Sequence, residues 1–321
     1  AIEQIQNGFT SKVYFLQGHG EHPLAVGQGA ISQALIILKD KNFTPAPLNL
    51  TQQTSVPQHA SVVVVDGPKQ ALFDREVKAL SNYLDRGGSL LLLIDPNTNS
   101  HLDSLLKAWG IKLDNSLVVD ISGTGAGYGP AVPVINRYGN HPITKDFGNN
   151  YSFYPISQPI TLTQVPSVQA TPLLITNPYP DSWAHTNLKS QNLNFDPKTD
   201  RKGPLILGVA ASRPQRSEAR SALGKSKSGN KPSESRLVVV GNSNFASDGL
   251  IDKQLNSDVF LNSVTWLSKD NNQPLSIRPK QEKNRRINMT HMQTILLGWT
   301  SLLLFPVIGL ATAVLLWWKR R

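Results

Sequence analysis

Residues 294–318 read TILLGWTSLLLFPVIGLATAVLLWW, twenty-five residues without one charge. As a helix this run would be about 37 Å long at ~1.5 Å per residue, enough to cross a ~30 Å hydrocarbon core with some tilt. Trp299 lies near one end and Trp317 and Trp318 at the other, as in an interfacial aromatic belt. Pro306 sits mid-span and is expected to kink the helix, because it removes a backbone donor. A core helix of a soluble domain would carry a polar stripe, and a signal peptide would be N-terminal. The expectation is a single transmembrane helix over 294–318 with a basic tail at 319–321. Gly309 and Ala313, four apart, could form a close contact with another helix.

The formal net charge is +10. That invites a nucleic-acid reading, which its distribution opposes. Residues 211–236 carry seven Lys/Arg against two Glu, net +5, and residues 278–286 five against one, net +4. Lys319, Arg320 and Arg321 add +3, so the remainder of the chain is about −2. The body is not basic, and no nucleic-acid partner is expected. The positive-inside rule is divided between the two flanks of the span. The basic flank could also rest on anionic lipid.

Cysteine is absent, which removes disulfides, thiolate-ligated zinc and every thiol nucleophile. The chain begins at Ala1 without an initiator Met, so the expectation is a processed chain or part of a longer one.

Ahead of the span the pattern is α/β. Short apolar runs read as buried strands: Val13–Leu16, Val62–Val65, Leu90–Ile94, Leu117–Val119, Leu205–Val209 and Leu237–Val240. Helical spacing falls over 28–40 (Ile31, Leu35, Leu38), 71–85 (Leu72, Val77, Leu80, Leu84) and 100–109, with Gly87-Gly88 and Gly110 as stops. Such alternation indicates a mostly parallel, doubly wound sheet covered on both faces. The expected organisation is an α/β domain over 1–270 and a juxtamembrane linker over 271–293. Within the domain, 121–200 reads as a loop-rich insertion of loops and short strands. Residues 211–236 read as a basic mobile loop.

Three stretches could carry chemistry. Gly18-His19-Gly20-Glu21-His22 follows the first strand, and His141 lies in the similarly turn-rich NHPIT. Helical zinc motifs space histidines by four on one face, whereas these are three apart in a loop, so no metal is expected. Glu21 is expected near a helix N-terminus, with Gly18 and Gly20 supplying unusual backbone angles. At 238–248, VVVGNSNFASD approaches G-x-S-x-G, but Phe245 replaces the last glycine. A hydrolase would need Ser243 with an imidazole and an acid, for which His19 and Asp95 are available at strand ends. The alternative is a turn in which Asn242 or Ser243 caps the next helix. Asp66-Gly67 and Asp95-Pro96 read as turn formers.

GTGAGYG at 123–129 does not complete G-x-G-x-x-G, and no G-x-x-x-x-G-K-[ST] occurs, so the chain is not expected to hydrolyse ATP. Tyr128, Tyr138, Tyr151, Tyr154, Tyr179 and Trp183 raise a further option, stacking on a carbohydrate or peptide.

The order of these motifs carries a resemblance. VYFLQGHGE is followed by VVVVDGPKQALFDREVKALSNYLDRGGSLLLLIDP, LVVD, HPIT, DSWAHTNL, RLVVVGNSNFASDGLI, NSDVFLNSVTWLSKD and one span. Over nearly the whole chain this resembles the GldG-type family, auxiliary components of ABC transport systems first linked to gliding motility. The 211–236 stretch looks like an insertion. Family members usually also carry membrane helices ahead of this region.

The resemblance implies a class I glutamine-amidotransferase-like α/β fold outside the cytoplasm, a C-terminal anchor with a cytoplasmic end, and partnership with an ABC permease and ATPase. That fold's enzymes use a cysteine nucleophile, which this chain lacks. The expectation is therefore a non-enzymatic subunit without cofactor. Its ligand or partner contacts are expected at His19, Glu21, His22, His141, Asn242 and Ser243.

Overall fold

The computed structural model describes residues 11–125, 127–188, 190, 192–215, 234–269 and 298–320. The chain divides into two units, Ala1–Ser276 and Ile277–Arg321. The expected linker 271–293, residues 294–297 of the expected span and most of the basic stretch (216–233) lie outside the described residues.

The first unit opens with β1 (Ser11–Leu16), α1 (Ser32–Asp40), β2 (Phe43–Leu48), β3 (Ala60–Asp66), α2 (Asp74–Asp85), β4 (Ser89–Leu93) and α3 (Asp103–Lys107). β5 (Ile111–Leu113), β6 (Leu117–Asp120) and the single turn α4 (Ser122–Gly125) follow. The middle of the chain holds β7 (Val134–Ile135), β8 (Arg137–Tyr138), β9 (Ser152–Phe153), β10 (Ile160–Leu162), β11 (Gln169–Ile175), β12 (Ser182–His185) and β13 (Arg201–Lys202). The unit closes with β14 (Ile206–Pro214), β15 (Glu234–Val240) and α5 (Asn256–Ser268).

The central sheet runs β2-β1-β3-β4-β15-β14-β10-β5, with β11 beside β14 and β8 beside β11. Its core, β2-β1-β3-β4-β15, is parallel throughout. Counting only those five strands in chain order, the spatial order is 2-1-3-4-5, that of one of the doubly wound folds. The period-2 side-chain alternation splits the interior in two. Val13, Phe15, Val64, Leu91 and Val238 face α1 and α5 through Leu38, Val259 and Val264. Leu16, Val65, Leu92 and Val239 face α2 and α3 through Leu80, Leu84 and Leu106. Burying each such side chain contributes roughly 1.5–3 kcal/mol, so both faces are needed to hold the sheet.

Beyond β15 the sheet turns antiparallel. The run expected at Leu205–Val209 is part of β14, which is longer and pairs with β15 from Gly208↔Val240 to Pro214↔Glu234. The two ends of the expected 211–236 loop are thus strand residues.

Helix boundaries differ from the sequence expectation where capping comes from afar. α1 begins at Ser32, not 28, because Asp248 accepts hydrogen bonds from Ser32 Oγ (2.7 Å) and the Gln33 amide (2.8 Å). α2 begins at Asp74, where Glu76 accepts from the Phe73 amide at 2.9 Å. It ends at Asp85, two residues before Gly87, whose φ of 90° only glycine adopts freely.

In the second unit, residues Thr300–Lys319 form one helix of mean hydropathy 2.1 with none of its surface buried. Residues Thr300–Leu304 are π-helical and continue into α6 (Phe305–Lys319). The π turn abuts Pro306, whose ring excludes the regular helical bond.

Candidate functional site

The carboxyl ends of the parallel strands converge. The β1 loop supplies His19, Glu21 and His22, the end of β3 supplies Asp66 and then Lys69, β4 supplies Asp95, and β15 supplies Asn242 and Ser243. β2 lies on one side of β1 and β3 on the other, so this is the strand-order switch, where open α/β sheets bind ligands.

Ser243 is the centre. Its amide donates to Asp95 Oδ1 at 2.7 Å and its hydroxyl to Asp95 Oδ2 at 2.6 Å. His22 Nε2 lies 2.9 Å from the same Oγ, and His22 Nδ1 lies 2.5 Å from the Gly29 carbonyl oxygen. Lys69 Nζ donates to Asp95 Oδ2 at 3.0 Å. A carbonyl only accepts, so Nδ1 carries a hydrogen. The serine hydrogen can serve only one of its two contacts.

This order differs from that of a hydrolase. In a Ser-His-Asp triad the acid bonds the imidazole Nδ1 and the imidazole takes the serine proton. Here the acid bonds the serine, and Nδ1 bonds a backbone carbonyl. Ser243 is also 0 % exposed. A Cβ on Gly67 (φ 63°) would come within 2.6 Å of Ser243 Oγ and 2.8 Å of the His22 ring, so the β3 turn packs directly against both.

His22, not His19, meets Ser243. His19 turns the other way, with Nε2 2.9 Å from Glu76 Oε2 and Nδ1 3.4 Å from Glu21 Oε1. These are ion-pair approaches without hydrogen-bond alignment. Glu21 does not cap a helix; its Oε2 accepts from the His19 amide at 2.7 Å, closing the loop on itself. Gly18 (φ 128°) and Gly20 (φ 77°) supply the expected left-handed turns. Among the described residues no group of three His, Asp or Glu could hold a metal ion.

Asn242 is held within the fold. Its Oδ1 accepts from the Phe245 amide at 2.9 Å, and its Nδ2 donates to the Pro155 and Ile156 carbonyls at 2.5 and 3.2 Å. His141 is not part of the cluster. It packs edge-on against Trp266 (4.8 Å), whose carbonyl binds Arg236 at the start of β15, the end opposite Ser243. Burial, aided by the Arg236 charge, pushes the His141 imidazole down to about 4. A cleft of about 240 Å³ lined by Ser81, Asp85, Trp109 and Arg213 shares no residue with the cluster.

The tyrosines and tryptophan of the middle segment do not form one platform. Tyr154 is buried against Phe245 at 5.3 Å and Trp183 against Phe195 at 6.4 Å, while Tyr128, Tyr151 and Tyr179 are exposed.

Lys69, Glu76 and Gln158 were not among the sequence candidates. Gln158 Nε2 donates to the Ile94 and Asp95 carbonyls at 3.0 and 2.9 Å, tying the middle segment to the end of β4. Asp66, read from sequence as a turn former, is 3 % exposed with both carboxyl oxygens unpartnered. Desolvation, with Asp95 and Glu21 nearby, pushes it well above the usual carboxylate range, Lys69 opposing. The available signal was an acid placed directly after four valines, where a strand's buried face should end.

Comparison with solved structures gives the N-terminal domain of mmIFT52 at 17% identity and TM-score 0.55, covering 81% of this chain and 98% of that one. A putative ThuA-like protein from Parabacteroides merdae matches at 12% identity and TM-score 0.45 over 85% and 94% of the two chains. An exo-beta-1,4-mannosidase from an Opitutaceae bacterium matches at 12% and 0.40, over 81% of this chain and 36% of that one. The first similarity shows a shared fold and no more. No curated protein matches significantly. The model of a family described as an ABC-type uncharacterized transport system, an auxiliary family, matches residues 10–273, and the chain belongs to that family.

Proposed function

We propose that this chain is a non-enzymatic accessory subunit of an ABC-type transport system, of the GldG type, anchored in the membrane by its C-terminal helix. Its α/β domain, of the glutamine-amidotransferase-like class, works outside the cytoplasm by contact with a partner or ligand. The observation that carries this reading is family membership over 10–273 followed by an apolar helix at Thr300–Lys319 with no buried surface. A permease and an ATPase are the partners such a subunit needs, since this chain has no phosphate-cradling loop of its own. In mild-detergent extracts both are expected to elute with it. A chain that elutes alone, while permease and ATPase are detectable in the same extract, would sink the proposal.

The alternative, a serine hydrolase, needs an acid that orients the imidazole, whereas Asp95 bonds Ser243 and His22 Nδ1 faces the Gly29 carbonyl. A serine-reactive fluorophosphonate is expected to leave the chain unlabelled. Labelling that vanishes in Ser243→Ala would reinstate the enzyme.

A further inference from the structure

We propose that Asp66 is a proton-held latch: the folded domain keeps it as the neutral acid, and its ionisation frees the β1 loop (residues 17–31) from the end of β3. Three backbone bonds seat that loop. The His22 amide donates to the Asp66 carbonyl (3.1 Å), and the His19 carbonyl accepts from the Lys69 and Gln70 amides (2.8 and 2.9 Å). The Asp66 carboxyl itself is 3 % exposed, with no donor on either oxygen. As a neutral acid it costs far less there than as an ion. As an ion it would be desolvated without a hydrogen bond, a state proteins avoid by protonation or by opening.

The charges around it come from every neighbouring element. Glu21 belongs to the loop itself, and Asp95 to the end of β4; both repel an ionised Asp66. Lys69 attracts it, but its ammonium is engaged by Asp95 and its side chain is 54 % exposed, so water weakens that attraction. His19 and His22 sit on the loop and are committed to Glu21, Glu76, Gly29 and Ser243. Repulsion between Asp66 and Glu21 acts across the seam between loop and strand, and opening the loop relieves it while admitting water.

The direction with pH follows. An unfolded Asp releases its proton near 3.8, whereas the folded one, its affinity raised by burial, keeps it to much higher pH. Between those values the folded state holds more protons. The latch is fully closed below the unfolded value, and its stability is lost as pH rises through the folded one.

The test is amide hydrogen exchange of the full chain in detergent micelles at pH 5 and pH 8.5, corrected for intrinsic rates. Protection of residues 17–31 in the wild type is expected to fall about tenfold or more at the higher pH, while that of β4 and β15 is kept. In Asp66→Asn, which mimics the neutral acid, loop protection should not change with pH. Equal protection at both values in the wild type, or an equal fall in Asp66→Asn, would overturn the proposal. If Asp66→Asn does not fold, the carboxyl ¹³C resonance of Asp66 in aspartate-labelled wild type decides. It should report a protonated acid at pH 5 and titrate together with loop protection; an ionised Asp66 at pH 5 would overturn the latch.

Discussion

Asp95→Ala is expected to lower the unfolding free energy of the α/β domain by about 3–5 kcal/mol, the range for breaking a buried, hydrogen-bonded charge cluster by removing one member. Asp95 is buried and accepts from the Ser243 amide, the Ser243 hydroxyl and Lys69 Nζ. Removing it strands a buried backbone donor and leaves the Lys69 ammonium without its acceptor. It also unpins β4 from β15, since Asp95 follows the end of β4 by two residues and Ser243 that of β15 by three. Urea unfolding of the full chain in micelles, followed through the buried Trp109, measures the change. Asp95→Asn keeps an acceptor and should cost less, about 1–3 kcal/mol. Lys69→Ala removes a half-exposed partner and should cost no more than about 1 kcal/mol. If Asp95→Ala proves no worse than Lys69→Ala, the cluster does not hold the strand ends together.

The contrast among these residues shows what the sequence could reveal. Local pattern was sufficient for β1, β3, β4 and β15 of the parallel core, but not for β2, whose FTPAPL has no apolar run. Four consecutive valines at 62–65 or four leucines at 90–93 can only be buried on both faces, and the helices between them make parallel pairing necessary. Partners distant in the chain were not legible. His22 and Ser243 are 221 residues apart, and Asp248 caps α1 from 216 residues away. From the spacing alone His19 and His22 are equivalent candidates for Ser243. What separates them is Glu76, which sits on α2 and draws His19 to the far side of the loop. Gln158 had no local signal, because its role depends on where the loop-rich middle segment returns to the end of β4. His141 shared a turn-like setting with the cluster but lies at the opposite end of β15, a distinction only topology makes.

Deleting residues 298–321 is expected to move the chain from the membrane pellet to the supernatant. The helix Thr300–Lys319 has 20 residues, about 30 Å at ~1.5 Å per residue, which matches a hydrocarbon core of ~30 Å. Its large apolar side chains, Leu302, Val307, Leu310, Leu315 and Leu316 among them, are exposed all round the helix. At roughly 1.5–3 kcal/mol for each one withdrawn from water, these five alone favour the bilayer by about 8–15 kcal/mol. The interruption at Pro306 does not undo this. The π-helical turn precedes it, and Thr312 Oγ1 donates to the Ile308 and Gly309 carbonyls at 2.9 Å, so polar groups are satisfied within the helix. Leu310→Arg would cost about 2.5–3.5 kcal/mol at mid-span, too little to extract the helix, and should leave the chain membrane-bound. Release of the intact chain by high salt or carbonate, without detergent, would instead place it on the surface through its basic segments. Spanning the bilayer requires that only detergent, or loss of the helix, sets the chain free.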